Sequence, residues 1–205
     1  MKKKILVTRK LLIENEEKLK ELFDVKLNST DELYTSDKIA ELSKDCDGIL
    51  SAITDQFNKD LIEKLTPSIK IIANFAVGFG NIDVNAAAKK NIVVTNTPEV
   101  LDDSTADISI LLLLGASRKV LEARRAAELQ NWKWSADFML GKQMSNKRLG
   151  ILGMGRIGRA VAKRARGFNM EIHYHNRNQL SKDLEEGAIY HKTVKDLFNC
   201  SDFLS

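Results

Sequence analysis

Arg148-Leu149-Gly150-Ile151-Leu152-Gly153-Met154-Gly155-Arg156-Ile157-Gly158 decides how this chain of 205 residues is read. The stretch predicts a short apolar strand over 148–152, a G-x-G-x-x-G turn, and a helix over 156–166. A second apolar strand over 170–175 arrives at the distance a dinucleotide-binding β-α-β unit requires. Each glycine has its own reason. Gly153 lets the chain turn tightly off the strand, and Gly155 has no Cβ to keep a pyrophosphate from the backbone. Gly158 lets the helix pack closely on the strand, while the helix N-terminus offers free N–H groups to the anion. Chance glycines in a loop match the pattern alone; a strand before it and a helix after it make it specific.

Composition bounds the rest. Hydrophobic residues make up 43% and charged residues 29%, the balance of a globular protein with a real core. The net charge of +4 is spread among acids along the helices, and Lys2-Lys3-Lys4 is too short for a nucleic-acid arm, so no nucleic-acid partner is expected. No run approaches the roughly 18 apolar residues of a membrane span, and Ile5-Leu6-Val7 is too short for the apolar region of a signal peptide. No membrane partner is expected. Cys46 and Cys200 lack a C-x-x-C pattern and read as reduced structural thiols, so the expected location is cytoplasmic.

Residues 3–96 alternate strand and helix. Strands are predicted over 3–8, 25–27, 47–52, 69–74 and 92–95. Helices fall over 11–23, with Leu12, Leu19 and Leu22 among its apolar positions, and over 37–42, 58–65 and 84–90. Ser36 or Asp37 is placed to cap the second helix, and Pro67 ends the third. Connections this short imply a mostly parallel sheet with helices on both faces. Thr97-Pro98 marks a boundary. Beyond it a long helix over 103–121 is apolar through Ile108 to Leu114, and the irregular segment 128–147 carries Trp132 and Trp134. Such a helix is either core or a subunit contact. The dinucleotide unit then runs through strand 188–190 and helix 194–198 to Asp202-Phe203-Leu204-Ser205, the opening of another strand. A doubly wound nucleotide domain needs about six strands, so the chain reads as carboxy-terminally truncated. The fold class is α/β: a flavodoxin-like parallel-sheet domain over 1–98, then an incomplete Rossmann domain over 99–205.

Four passages carry a resemblance. They are Asn74-Phe75-Ala76-Val77-Gly78-Phe79-Gly80-Asn81-Ile82-Asp83, Val94-Thr95-Asn96-Thr97-Pro98, Thr105-Ala106-Asp107, and Leu149 through Gly158; Trp132-x-Trp134 supports them. Across essentially its whole length the chain resembles the amino-terminal part of a D-isomer-specific 2-hydroxyacid dehydrogenase, nearest the glyoxylate/hydroxypyruvate reductase branch. That implies hydride transfer between NAD(P)H and a small 2-keto acid to give the D-2-hydroxy acid. It implies that the Val77-Gly78 backbone holds the substrate carboxylate; the competing reading is a plain turn with Gly78 and Gly80 at positive φ. Thr105 resembles the residue facing the nicotinamide side. Arg156 and Ile157, with Gly153, Gly155 and Gly158, would lie over the pyrophosphate. An exposed first-turn arginine opposes the helix dipole, so an anion near Arg156 is expected. A homodimer through helix 103–121 and segment 128–147 is also implied.

Cofactor choice is read at Tyr174-His175-Asn176-Arg177-Asn178. NAD enzymes place Asp or Glu about 20 residues beyond the glycines to accept from the ribose 2′-OH. Here Asn176 stands there, followed by Arg177 and Asn178. An acid repels a 2′-phosphate, whereas Asn donates to it and Arg pairs with it, so NADP(H) is favoured, with NAD(H) possible. The family's catalytic Arg, Glu and His lie in later segments. His173, His175 and His191 sit in or beside the nucleotide strands and take structural or cofactor-rim roles. The alternative reading is therefore a non-catalytic dinucleotide-binding protein or an inactive truncated remnant.

Overall fold

A computed structural model describes residues 1–130 and 132–205 and divides the chain into two compact units, Met1–Val100 and Leu101–Ser205. In the first, β1 (Lys4–Val7), β2 (Asp24–Lys26), β3 (Gly48–Ala52), β4 (Ile71–Phe75) and β5 (Val93–Thr95) form one sheet in the order β2-β1-β3-β4-β5. Every pairing is parallel. This is the flavodoxin-like order, with its switch point between β1 and β3. The helices between them are α1 (Ile13–Leu22), α2 (Ser36–Leu42), α3 (Lys59–Lys64) and α4 (Val84–Lys89). Ile49 and Ile72 of the sheet are buried with Ile39, Phe57, Leu61 and Ile62 in one apolar cluster.

Local chemistry sets the helix starts. The Asn58 side chain accepts from the Leu61 N–H at 3.0 Å, and Asp83 accepts from Ala86 at 2.9 Å. The cap of α2 is neither Ser36 nor Asp37. Thr35 takes that place, accepting from the Lys38 N–H at 3.3 Å, so α2 begins one residue before the expected start. The larger departure is α1. It buries no residue, and Leu12 and Leu22 stay 70% and 57% exposed. Leu11, Leu19 and Leu22 line an open apolar groove of about 290 Å³ with Leu50 and Phe75. The apolar face read from the sequence exists, but among the described residues nothing fills the groove beside it.

The second unit holds α5 (Asp102–Ser117), α6 (Val120–Glu128), β6 (Arg148–Leu152), α7 (Arg156–Arg166), β7 (Glu171–His175), α8 (Lys182–Glu185), β8 (Ile189–Tyr190), α9 (Val194–Cys200) and β9 (Phe203–Leu204). The strands lie in the order β8-β7-β6-β9, all parallel. That is the 3-2-1-4 order that opens a Rossmann sheet. The terminal strand is formed, with Leu149 opposite Phe203 and Gly150 opposite Leu204. Helix α5 packs on α7, and Arg164 of α7 pairs with Asp103 at 3.1 Å and Asp107 at 2.5 Å.

The single helix expected over 103–121 is two. Helix α5 stops at Ser117, Lys119 turns left-handed at φ 52°, and α6 carries helix to Glu128, inside the segment expected to be irregular. The Ser117 carbonyl accepts from the Lys142 N–H at 2.8 Å instead of continuing the helical ladder. The apolar middle of α5 is divided between two environments: Ile110, Leu113 and Leu114 pack half-buried on the core of this unit beside buried Ala106, while Ile108, Leu111 and Leu112 are more than half exposed. Trp132 stacks on Phe138 at 6.1 Å between centroids, and Trp134 stands 83% exposed. Asn131, within segment 128–147, lies outside the described residues.

Gly158 fixes how closely α7 lies on β6. A Cβ there would sit 2.4 Å from the Gly153 carbonyl oxygen, a backbone atom that cannot swing away. Gly158→Ala should therefore lower the unfolding free energy by about 1–3 kcal/mol, the usual cost of forcing a methyl into a packed contact. Urea denaturation of the variant beside the parent measures this, and an unchanged midpoint would show that α7 can retreat from β6 freely.

Candidate dinucleotide and carboxylate sites

The turn after β6 is built as an anion cradle. Gly153 adopts φ 98°, which only glycine takes without strain, and its N–H donates to the His175 carbonyl at 3.0 Å. Gly155 is the N-cap of α7 and brings no side chain to cap the helix start. A Cβ on Gly155 would meet nothing within 4 Å. Open space on this face of the turn suits a pyrophosphate, and the residues present fit the group. A cleft of about 620 Å³ opens here at the carboxyl ends of β6 and β7. Of the residues singled out above, it is lined by Gly153, Gly155, Asn176, Arg177 and Asn178.

The others lie elsewhere. Gly158 is buried beneath the turn, Ile157 packs on the core of this unit, and Thr105 sits in the first turn of α5 with its carbonyl accepting from the Ser109 hydroxyl. Arg156 has the anion expected of it, and that anion is a protein group: Asp102 lies 3.4 Å from Nε. Besides Arg177, the cleft is lined by a second arginine, Arg159, which reading the glycine motif alone passes over. One helical turn separates it from Gly155, a spacing that could have found it.

Asn176 has a structural part beside the donor role expected of its amide. Its Oδ1 accepts from the Met154 N–H at 2.7 Å, tying the end of β7 to the glycine turn. Its NH2 group remains without a partner among the described residues, facing a cleft whose rim carries Arg177, exposed and unpaired there. The loop bearing these residues is braced from below by Glu185, a buried carboxylate absent from the sequence reading. Glu185 accepts from Gln179 and from the Tyr174 hydroxyl, each at 2.8 Å, and from Lys182 at 3.0 Å. The Tyr174 oxygen accepts in turn from the Leu180 N–H at 3.0 Å, and the Tyr190 hydroxyl donates to the Asn176 carbonyl at 3.2 Å.

In the first unit Val77 and Gly78 follow β4. The competing reading of this turn fails, because neither Gly78 nor Gly80 has a positive φ. Side chains hold the loop instead. Buried Asn74 donates to the Gly78 carbonyl at 3.0 Å and Asn96 to the Val77 carbonyl at 2.7 Å. Asn74 also meets Asn81 at 3.1 Å and Ser51 at 3.1 Å. With the carbonyls so held, the Val77 and Gly78 N–H groups have no partner among the described residues. Two adjacent free donors past the carboxyl end of a parallel strand suit a carboxylate. A wider cleft of about 800 Å³ lies beside β9, lined by Lys142, Lys147 and Asp202 among others. It contains none of these features.

The histidines stay in supporting places. His175 lines the cleft, its Nδ1–H donating to the His191 carbonyl at 2.8 Å. Its ring stacks on Tyr190. His173 is buried against His191.

In class this is a two-unit parallel α/β protein, a flavodoxin-like sheet followed by a Rossmann sheet with an open glycine turn. The chain belongs to the D-isomer specific 2-hydroxyacid dehydrogenase family, whose catalytic-domain profile matches residues 5–195. A glyoxylate reductase of Korarchaeum cryptofilum is 39% identical over 207 residues, covering 100% of this chain and 62% of the relative. Among solved structures, a protein from Polaromonas, provisionally described as a D-isomer specific 2-hydroxyacid dehydrogenase, NAD-binding, superposes with a TM-score of 0.89 at 41% identity, covering 100% of this chain and 64% of that one. An NADPH-dependent glyoxylate/hydroxypyruvate reductase from Sinorhizobium meliloti, in complex with NADP and malonate, gives 0.83 at 30% identity, with 100% and 61% covered. The chain thus spans about 62% of the curated relative's length.

The bracing of the cofactor loop carries a pH signature. Hydrogen bonds from Gln179, Tyr174 and Lys182 hold Glu185 down at about 2, against an ordinary value of 4.5. A depressed carboxylate contributes stability that is complete above its unfolded value and is lost as pH falls through the folded one. Stability should therefore decline from about pH 4.5 towards pH 2, and Glu185→Gln should flatten that decline. Asp202, held at about 2 by Arg148, leaves a residual slope in the variant. Urea midpoints at several acid pH values read both; parallel profiles would show that Glu185 is not ionised in the fold.

Proposed function

We propose that this protein is an NAD(P)H-dependent reductase of a small 2-keto acid such as glyoxylate or hydroxypyruvate, with NADPH preferred. The observation that carries the reading is the cleft at the carboxyl ends of β6 and β7, where a helix start without a side-chain cap, the free NH2 group of Asn176 and an Arg177 without a partner among the described residues stand together with no acid on the lining. Residues 99–205 are the dinucleotide domain and residues 1–98 the substrate domain in this proposal. The glycine turn and the first N–H groups of α7, at Arg156 and Ile157, take the pyrophosphate. Asn176, Arg177 and Asn178 take the 2′-phosphate of the adenine ribose. Thr105 faces the nicotinamide side, and the Val77 and Gly78 N–H groups take the substrate carboxylate.

A bound nicotinamide dinucleotide supplies the hydride in this family's chemistry. The chain's own residues bind and orient. Arg159 and the dipole of α7 offset phosphate charge. The Asn176 bond to Met154 keeps the glycine turn and the ribose-binding loop at a fixed separation. Asn74 and Asn96 point two N–H groups at one carboxylate by immobilising the carbonyls beside them. Named relatives support the substrate class: the S. meliloti structure holds NADP and malonate, a dicarboxylate, and the K. cryptofilum relative is a glyoxylate reductase. The exposed apolar side chains Ile108, Leu111 and Leu112 of α5, with Trp132 and Trp134 beyond it, support a homodimer through α5 and segment 128–147. Two free cysteines, with no described helix long and apolar enough to cross a membrane, support a cytoplasmic location.

Dinucleotide titration followed by nicotinamide fluorescence tests the cofactor half. Arg177→Ala should weaken NADPH about 10–100-fold, the worth of one or two charge-assisted hydrogen bonds, and leave NADH unchanged. Equal losses for both cofactors would remove Arg177 from phosphate recognition. Gly155→Val, whose Cβ would meet nothing within 4 Å in the fold, should abolish binding of both without lowering the thermal midpoint. NADPH oxidation with glyoxylate then tests the reaction, and binding without turnover would favour a non-catalytic dinucleotide protein.

A further inference from the structure

His173 on β7, His191 just past β8 and Cys200 at the end of α9 converge behind the sheet's second and third strands. Their ligand atoms all lie within 4.8 Å of one another. His191 Nε2 is the centre of the group, 2.8 Å from His173 Nδ1 and 3.4 Å from Cys200 Sγ. The other ring nitrogen of His173 meets Glu171 Oε1 at 2.5 Å.

We propose that His173, His191 and Cys200 form a binding site for a single borderline-soft divalent ion, with Zn²⁺ the best fit. Two imidazoles and a thiolate are the donors such an ion selects over Mg²⁺ or Ca²⁺, which take oxygen. Tetrahedral zinc, with bonds of about 2.0–2.1 Å to nitrogen and 2.3 Å to sulfur, sets its ligands about 3.3–3.6 Å apart. The His191–Cys200 separation already matches, and the two histidines need open by only about 0.5 Å. Glu171 supplies what a ligating histidine ordinarily has, a carboxylate that fixes the ring and leaves the facing nitrogen's lone pair for metal. Cys200 surrenders the proton it now shares with the Leu197 carbonyl at 3.2 Å. His173 is buried while His191 and Cys200 are half-exposed, so the fourth position faces water and the ion can enter from that side. The site stands apart from the glycine turn and does not rest on the dinucleotide reading.

Co²⁺ is the probe, added to the chelator-treated protein with its thiols kept reduced by a phosphine. The expected result is one bound equivalent, with a thiolate-to-cobalt charge-transfer band and the strong visible bands of four-coordinate cobalt, all bleached by Zn²⁺. Cys200→Ser should abolish the charge-transfer band, and Cys46→Ser should keep it. Circular dichroism confirms that each variant is folded. Glu171→Gln, on the exposed side of His173, should weaken binding 10–100-fold, the usual cost of losing an outer carboxylate. Absence of a band with Co²⁺ in hundredfold excess overturns the site and leaves a hydrogen-bonded histidine pair. A band that survives Cys200→Ser places the ion elsewhere and overturns it equally.

Discussion

A parallel strand delivers its chain to the carboxyl edge of the sheet with peptide groups that no neighbouring strand will use. Both units are organised by how those groups are met. In the first, Thr8, Ser51, Asp55, Asn74 and Asn81 are all buried at that edge. Asp55 accepts from the Thr8 hydroxyl at 2.5 Å and the Ala52 N–H at 2.8 Å, and Asn81 donates to the Asp55 carbonyl at 2.9 Å. Such a network rigidifies because each lost partner would leave a buried polar atom uncompensated. Among the described residues it leaves unmet the buried Asp55 Oδ1 and the pair of N–H groups at Val77 and Gly78.

The second unit solves the same problem with a helix start. Three glycines in one motif answer three separate constraints. Gly153 is needed for its dihedral angle, Gly158 for the 2.4 Å approach that a Cβ would make to a carbonyl, and Gly155 for the space it leaves open. Two are demands of folding, and the third, which packing does not require, is the one the proposed dinucleotide binding would use. Substitution can therefore separate affinity from stability within one motif. The loop opposite is not free to adapt either. Asn176 is tied to the turn on one side, and Glu185 and Tyr174 lock the residues after it. Burial raises the Tyr174 hydroxyl to about 12, so it stays protonated and keeps donating to Glu185.

Much of this was legible from residue order. Short apolar runs between caps located the strands to within a residue or two, and their spacing implied parallel pairing. What misread was governed by contacts distant along the chain. The helix break at Lys119 follows from the Ser117 carbonyl turning to Lys142, and no local propensity signals that. The competing account of the Gly78 turn, glycines at positive φ, also misses that Asn74 and Asn96 hold it through their side chains. Nor does residue order show that the oxygen of the Asn176 amide is spent on Met154, 22 residues away, while its NH2 group stays available for the donor role read from the sequence.

The sequence by itself determined the two-part α/β plan, the glycine turn and the absence of an acid in the four residues His175 to Asn178 at the end of β7. Each depends on which residue types stand within about one strand and one helix of each other, and backbone geometry enforces those short-range rules. Only the tertiary structure decided which donors remain free, which loops are braced, and that two histidines and a cysteine from three elements face one point. Hydrogen-bond partners and ligand clusters are assigned by the packing of the sheet, and packing places side by side residues that residue order keeps apart.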